Sequence, residues 1–171
     1  MSVRLHMKRA ISKSQSARLD DLLFQIDQSY RTKAWHGTNL RGSLRGVSAR
    51  EAAWRPGTGR HNIWEIVVHC AYWKYIVRRR LLGEKKGSFP LKGSNWFLRS
   101  THLTEEAWTQ DLKLLEACHA SLVEAVAHLN DRDLARSPKG IKVSNLAVIV
   151  GIASHDVYHA GQIQILKRLQ R

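Results

Sequence analysis

The sequence lacks the features of disulfide-stapled, secreted and membrane-spanning proteins. It has two cysteines, Cys70 and Cys118, which lie in apolar helical patterns and not in a Cys-x-x-Cys pair. No apolar run approaches the roughly 20 residues that a membrane-spanning helix needs. We therefore expect buried, reduced thiols and no membrane span.

The N-terminus lacks an apolar stretch and a small-residue cleavage site, so residues 1–13 are interpreted as a basic segment and not as a secretory signal. The remaining residues, 14–171, are enough for one domain with its own core, and nothing in the composition indicates a second. We expect a cytoplasmic protein.

Acidic residues are also scarce, which leaves a formal net charge of +14. Such an excess favours association with phosphates or anionic surfaces. The densest basic clusters, however, lie near the ends of predicted helices, where they complement the helix dipole. No motif of aromatic platforms for single-stranded nucleic acid is present. A basic module that binds nucleic acid or another polyanion, with a structural metal or none, is therefore the alternative function.

Helical periodicity is what the sequence does have. Apolar residues recur at three- and four-residue steps in four long segments, residues 14–33, 62–82, 104–130 and 144–170. A short helix is expected at residues 38–45, and Ser48 and Glu51 form a capping box for another. Residues 131–143 are interpreted as a connection. The pattern predicts an all-α fold, a four-helix bundle.

Three histidines lie among apolar neighbours on two of these segments. His155 and His159 are four residues apart and share one helix face, and His69 lies on another helix. Three such nitrogens can hold a metal with one position open. An unpartnered buried imidazole costs roughly 1–3 kcal/mol, so each needs a partner. Separate hydrogen bonds to backbone carbonyls or hydroxyls, in a metal-free bundle, are the other interpretation.

Two polar residues lie in phase with these histidines. Glu65, one turn before His69, either completes the helix start at Asn62 or supports the site. Gln162 follows His159 on the same face and either orients a ligand or substrate or is an ordinary core glutamine. Asp156 is rotated off this face, so we expect it to contact another helix or solvent, or to support the site from beside it. The other histidines at polar or helix-edge positions are expected to be solvated: His6, His102, His119 and His128.

Five motifs, in their order and spacing, resemble the DinB/YfiT-like metalloprotein superfamily over residues 18–170. They are Trp35-His36-Gly37, Ala53-Trp54-Arg55-Pro56, His61-Asn62-Ile63-Trp64-Glu65, the pair His155 and His159, and Gly161-Gln162.

The resemblance implies an up-down-down-up four-helix bundle that is often a homodimer. It also implies a divalent metal, usually zinc or nickel, held by His69, His155 and His159. Relatives include transferases and isomerases that use bacillithiol, mycothiol or glutathione. The chain departs from the simplest pattern in its broken first helix and in His36 and His61. Each of these histidines either supplies a fourth ligand or an acid/base group near the site or has only a capping or surface role.

The leading hypothesis is a metal-dependent enzyme that acts on a small thiol or anionic substrate. Three neutral nitrogen ligands leave the cation its full charge, so it can lower the pKa of water or of a thiol. Thiol transfer and hydrolysis are both within reach of such a site.

Overall fold

The computed structural model describes residues 16–99, 103–138 and 140–171, and the regular structure in these ranges is helical, without a strand. This confirms the predicted all-α class. The helices are α1 (Ala17–Tyr30), α2 (Leu40–Ser43), α3 (Ala49–Ala53), α4 (Ile63–Leu81), α5 (Glu105–Ala127), α6 (Asp131–Ala135) and α7 (Asn145–Leu169). The basic segment 1–13, with His6, and the residue His102 lie outside the described residues.

The four long helices contact one another in a closed ring. Helix α1 packs against α5 and α7, and α4 packs against the same two helices. The short helices lie on this frame, with α2 against α1 and α7, α3 against α4 and α5, and α6 against α7. The ring places α4 beside α7, and these are the two helices that carry the three histidines.

Short polar side chains define where the helices begin. Asn62 accepts a hydrogen bond from the backbone N–H of Glu65 at the start of α4, and Thr104 and Ser144 cap α5 and α7 in the same way. The capping box predicted at Ser48 and Glu51 forms with both of its hydrogen bonds. The starts of the long helices could therefore be predicted to within a few residues.

Residues 131–143, predicted to be a connection, contain α6. Asn130 accepts from the backbone of Asp133, and the Asp133 carboxylate accepts from the backbone of Asn130, which makes a second capping box. Leu134 anchors the single turn in the core. The sequence contains the Asn-x-x-Asp pattern of this capping box, but Pro138 and Gly140, which follow it, are typical of a loop.

None of the helices in the described ranges combines the length and the hydropathy that crossing a membrane requires.

Candidate metal centre

The structure brings His69 of α4 together with His155 and His159 of α7. Nε2 of His155 lies 3.1 Å from Nε2 of His69 and 3.1 Å from Nε2 of His159. His69 and His159 are buried, whereas His155 is half-buried. The three nitrogens therefore converge just below the surface, with His155 on the more open side.

The protons of two histidines can be assigned from their outer partners. Nδ1 of His69 lies 2.9 Å from the backbone oxygen of Asn95, and Nδ1 of His159 lies 2.6 Å from Oε1 of Gln162. These oxygens only accept, so both Nδ1 atoms carry the proton and both Nε2 atoms direct a lone pair inward. A proton on Nε2 of His155 can point at one of the two at most. At least one of the 3.1 Å contacts therefore joins two lone pairs, unless a cation lies between them.

The donor set fits a divalent metal. Imidazole nitrogens 2.0–2.1 Å from a tetrahedral zinc are about 3.3 Å apart, close to the 3.1 Å found here. Burial lowers the pKa of His69, and burial with the neighbouring histidines lowers the pKa of His155 to about 3 and that of His159 to about 4. The rings are therefore neutral near pH 7, as metal ligands must be.

Residues 83–99, here called the covering segment, fold back over this site. The indole of Trp96 stacks on His69 at 3.9 Å between ring centroids, and His61 stacks on the same indole at 3.6 Å. Both rings are nearly parallel to the indole, so they must lie on its opposite faces. Trp96 therefore separates His61 from His69, which does not favour His61 as a fourth ligand.

Asn95 connects the covering segment to α4 through two hydrogen bonds. Its backbone oxygen accepts from His69, and its side-chain oxygen accepts from the indole of Trp73 at 2.9 Å. Its φ of 61° lies in the left-handed region, which asparagine tolerates better than most residues. This conformation directs both oxygens toward α4.

Glu65 is buried one turn before His69, but its carboxylate binds other partners. Arg55 donates two hydrogen bonds to it, and Nδ1 of His61 donates a third at 3.0 Å. Burial raises the pKa of Glu65, but these hydrogen bonds outweigh that effect and keep the pKa below its ordinary value. Glu65 therefore does not contact the three histidines directly. It binds His61, which stacks on Trp96, which in turn stacks on His69.

The two remaining predicted residues are in different positions. Gln162 accepts from His159 and donates to the hydroxyl of Tyr158 at 3.0 Å, so it holds the ring of His159. His36 is exposed on a tight turn closed by Ala34 and Gly37, and none of the contacts found among the described residues joins it to the three histidines.

A buried charged cluster next to the site was missed. Lys74 of α4 and Asp156 of α7 are both fully buried and form an ion pair. Lys74 also donates to Nδ1 of His119, 3.5 Å away, and His119 stacks on Tyr30 at 3.8 Å. The expectation that His119 is solvated was wrong: it is fully buried, and burial with the neighbouring Lys74 lowers its pKa to about 2.

A second group of potential ligands consists of Cys70, His155 and Asp156, whose donor atoms lie within 4.8 Å of one another. This group suits a metal less well. Burial raises the pKa of Cys70 well above its ordinary value, and Asp156 is already paired with Lys74. Among the described residues, Nδ1 of His155 and Oδ1 of Asp156 both lack a hydrogen-bond partner. Because the Cys70 thiol resists deprotonation and Asp156 is held by Lys74, the three-histidine group is the better metal site.

The fold and the site together define a helical protein with a buried three-histidine group shared between two long helices. The DinB superfamily model matches residues 33–163, which is most of the chain, and the protein belongs to the DinB superfamily. Searches of curated proteins and of solved structures found no match to this chain.

Proposed function

We propose that the protein binds one divalent metal ion, zinc or nickel, through Nε2 of His69, His155 and His159. The observation that carries the proposal is the convergence of these nitrogens. Nε2 of His155 lies 3.1 Å from Nε2 of each of the other two, and the outer nitrogens of His69 and His159 are fixed as donors. The motifs that resemble DinB/YfiT-like metalloproteins imply the same ligand set, and the chain belongs to the DinB superfamily.

We further propose that the centre is that of an enzyme of the thiol-transfer or hydrolase type. Three protein ligands leave a tetrahedral ion one open position, which is the arrangement of catalytic zinc sites. His155 is the half-buried member of the three, so a substrate would approach the site from its side. A bound divalent cation supplies Lewis acidity that lowers the pKa of water or of a thiol.

The surrounding residues orient the ligands and limit access to them. Gln162 and Asn95 hold the rings of His159 and His69, and Trp96 shields one side of the site. His61 is positioned by Glu65 through Nδ1, which leaves its other ring nitrogen to take or give a proton. Because Trp96 lies between His61 and His69, an acid/base role at the metal stays a prediction for His61, as it does for His36.

The basic surface suits a small anionic or thiol substrate. A homodimer, a cytoplasmic location and the up-down-down-up order of the long helices stay predictions, as does the alternative of a polyanion-binding module.

Elemental analysis tests the metal proposal. Protein made without a histidine tag, loaded with zinc or nickel and freed of excess ion, should hold about one ion per chain. His155→Ala and His159→Ala should lose it, because each removes a ligand. His36→Ala removes an exposed histidine and serves as the matched control. Unchanged metal content in both ligand variants would overturn the assignment.

A further inference from the structure

A cavity lies away from the three histidines, between α1, α2 and α5. It has a volume of about 950 Å³, and none of the three histidines lines it. Five basic side chains line it against one acidic one: Arg31, Lys33, Arg41, Arg45 and Lys113, with Glu116. We call it the basic cleft.

The single carboxylate in the basic cleft is already engaged. The hydroxyl of Tyr30 donates to Glu116 at 3.0 Å, and Arg31 and Arg41 each lie 3.7 Å from its oxygens. Arg31 also pairs with Asp27 at 2.7 Å, but two carboxylates cannot neutralise five cations, so the cleft keeps a positive potential. An anion with more than one negative charge fits that potential.

The lining also has an apolar part. Leu112 is half-buried where it borders the cavity, while Leu44, Leu115 and the ring of Tyr30 border it as buried side chains with little accessible surface. These apolar side chains make no favourable contact with a free inorganic anion, but they can pack against a planar or apolar group attached to the anion. The cleft therefore offers cationic and apolar contacts within a cavity of the size that binds a small molecule.

An exposed tryptophan stands at the edge of the cleft. Trp35 is 99% exposed, and the residues that flank its turn, Ala34 and Gly37, both line the cavity. The turn is closed by a bridge between these two residues, and Gly37 has a φ of 110°, which glycine alone adopts readily. The backbone thus holds an indole in solvent beside a cationic cavity, where it can stack on a planar ring.

We propose that the basic cleft binds a small molecule that joins a phosphate or diphosphate group to a planar ring, the chemistry of a nucleoside phosphate. The arginines and lysines contact the phosphates, and the apolar lining and Trp35 contact the ring. The proposal is independent of the metal centre, because none of the residues that carry it contacts the three histidines.

Calorimetric titration of the chelator-treated full chain with ADP at low salt tests the proposal. ADP should bind saturably, and inorganic pyrophosphate and adenosine should each bind more weakly, because each lacks one half of the recognised chemistry. No saturable binding of ADP would overturn the proposal. Pyrophosphate binding as tightly as ADP would overturn the role of the ring, and adenosine binding as tightly would overturn the role of the cations.

Two double variants with the same loss of charge locate the site. Arg41→Gln with Arg45→Gln should weaken ADP binding roughly tenfold, the effect of about two exposed charge contacts. Arg132→Gln with Arg168→Gln changes two exposed arginines away from the cleft and should leave ADP binding unchanged. Equal weakening in both would show that only the overall charge matters and would overturn the site. Trp35→Ala should weaken ADP binding while leaving pyrophosphate binding unchanged.

Discussion

At the scale of single residues, the outer nitrogens of the histidines decide what the inner ones can bind. Asn95 and Gln162 each accept the Nδ1 proton of a histidine, which leaves the Nε2 lone pair of that histidine facing the centre. Partners of this kind fix the tautomer and the orientation of a metal-binding ring. Gln162 is the one of the two whose side chain makes the contact, so it can be tested by substitution.

Gln162→Leu should lower zinc affinity 10- to 100-fold without unfolding the chain, because His159 loses the acceptor that orients it. Competition with a chromophoric chelator measures the affinity. Gln164→Leu is the matched control. Gln164 is also a half-buried glutamine of α7, but it lines the basic cleft and not the metal centre. Equal losses in both variants would contradict the role of Gln162.

The sequence predicts part of this centre and not the rest, for physical reasons. The spacing of His155 and His159 fixes a shared helix face, so their proximity is local information. Asn95 is 26 residues from His69, and it contributes a backbone oxygen that no side-chain pattern marks. Its role depends on how the covering segment folds, which periodicity does not describe.

Lys74, His119 and Asp156 form a cluster that the sequence did not predict, although a contact with another helix was one expectation for Asp156. Each lies in phase with a buried apolar stripe of its helix, but charged and imidazole side chains in such positions are usually assumed to reach solvent. They are buried together because α4, α5 and α7 bring them into contact, so that the charges compensate one another. The burial of each one depends on a partner on another helix, which the sequence alone does not identify.

At the scale of elements, the covering segment determines how the metal centre is enclosed. Its apolar residues find partners on α4, since Phe89 and Phe97 both contact the ring of Tyr72 and Trp96 contacts His69. Phe97 is part of the buried core. The hydrophobic composition of this loop is therefore explained by packing over the site, and Asn95 sets its geometry.

Asn95→Val should destabilise the protein by about 1–2 kcal/mol or more, because a β-branched residue is disfavoured in the left-handed region and the bond to Trp73 is lost. Asn95→Gly loses the same bond but keeps the backbone conformation at low cost, so it should be milder. Chemical denaturation measures both, and hydrogen exchange of residues 83–99 shows whether the loss is local. If both variants were destabilised equally, the left-handed conformation of Asn95 would not be what holds the covering segment in place.

Helix starts were the most predictable elements because their signals are local. A capping side chain and the backbone it binds lie within three residues, as at Ser48 and Asn62. Helix ends and the short α6 were less predictable. Helix α1, for example, was predicted to reach residue 33 but ends at Tyr30, the last residue of its apolar stripe.

At the scale of the whole molecule, the ring of long helices carries two separate candidate sites, the three-histidine centre and the basic cleft. The contact between α4 and α7 builds the three-histidine centre, while α1, α2 and α5 build the basic cleft. Tyr30 borders the cleft and stacks on His119, which contacts Lys74, the partner of Asp156. A buried polar chain thus runs from the cleft to the residue beside His155.

X-ray absorption spectroscopy of the zinc-loaded full chain tests the central claim most directly, because it counts the donor atoms around the ion. The account predicts three imidazole nitrogens at about 2.0–2.1 Å and one further light-atom ligand in the open position. A sulfur ligand at about 2.3 Å would instead place the ion with Cys70, His155 and Asp156. Sulfur ligation, or fewer than three imidazoles, would contradict the three-histidine centre.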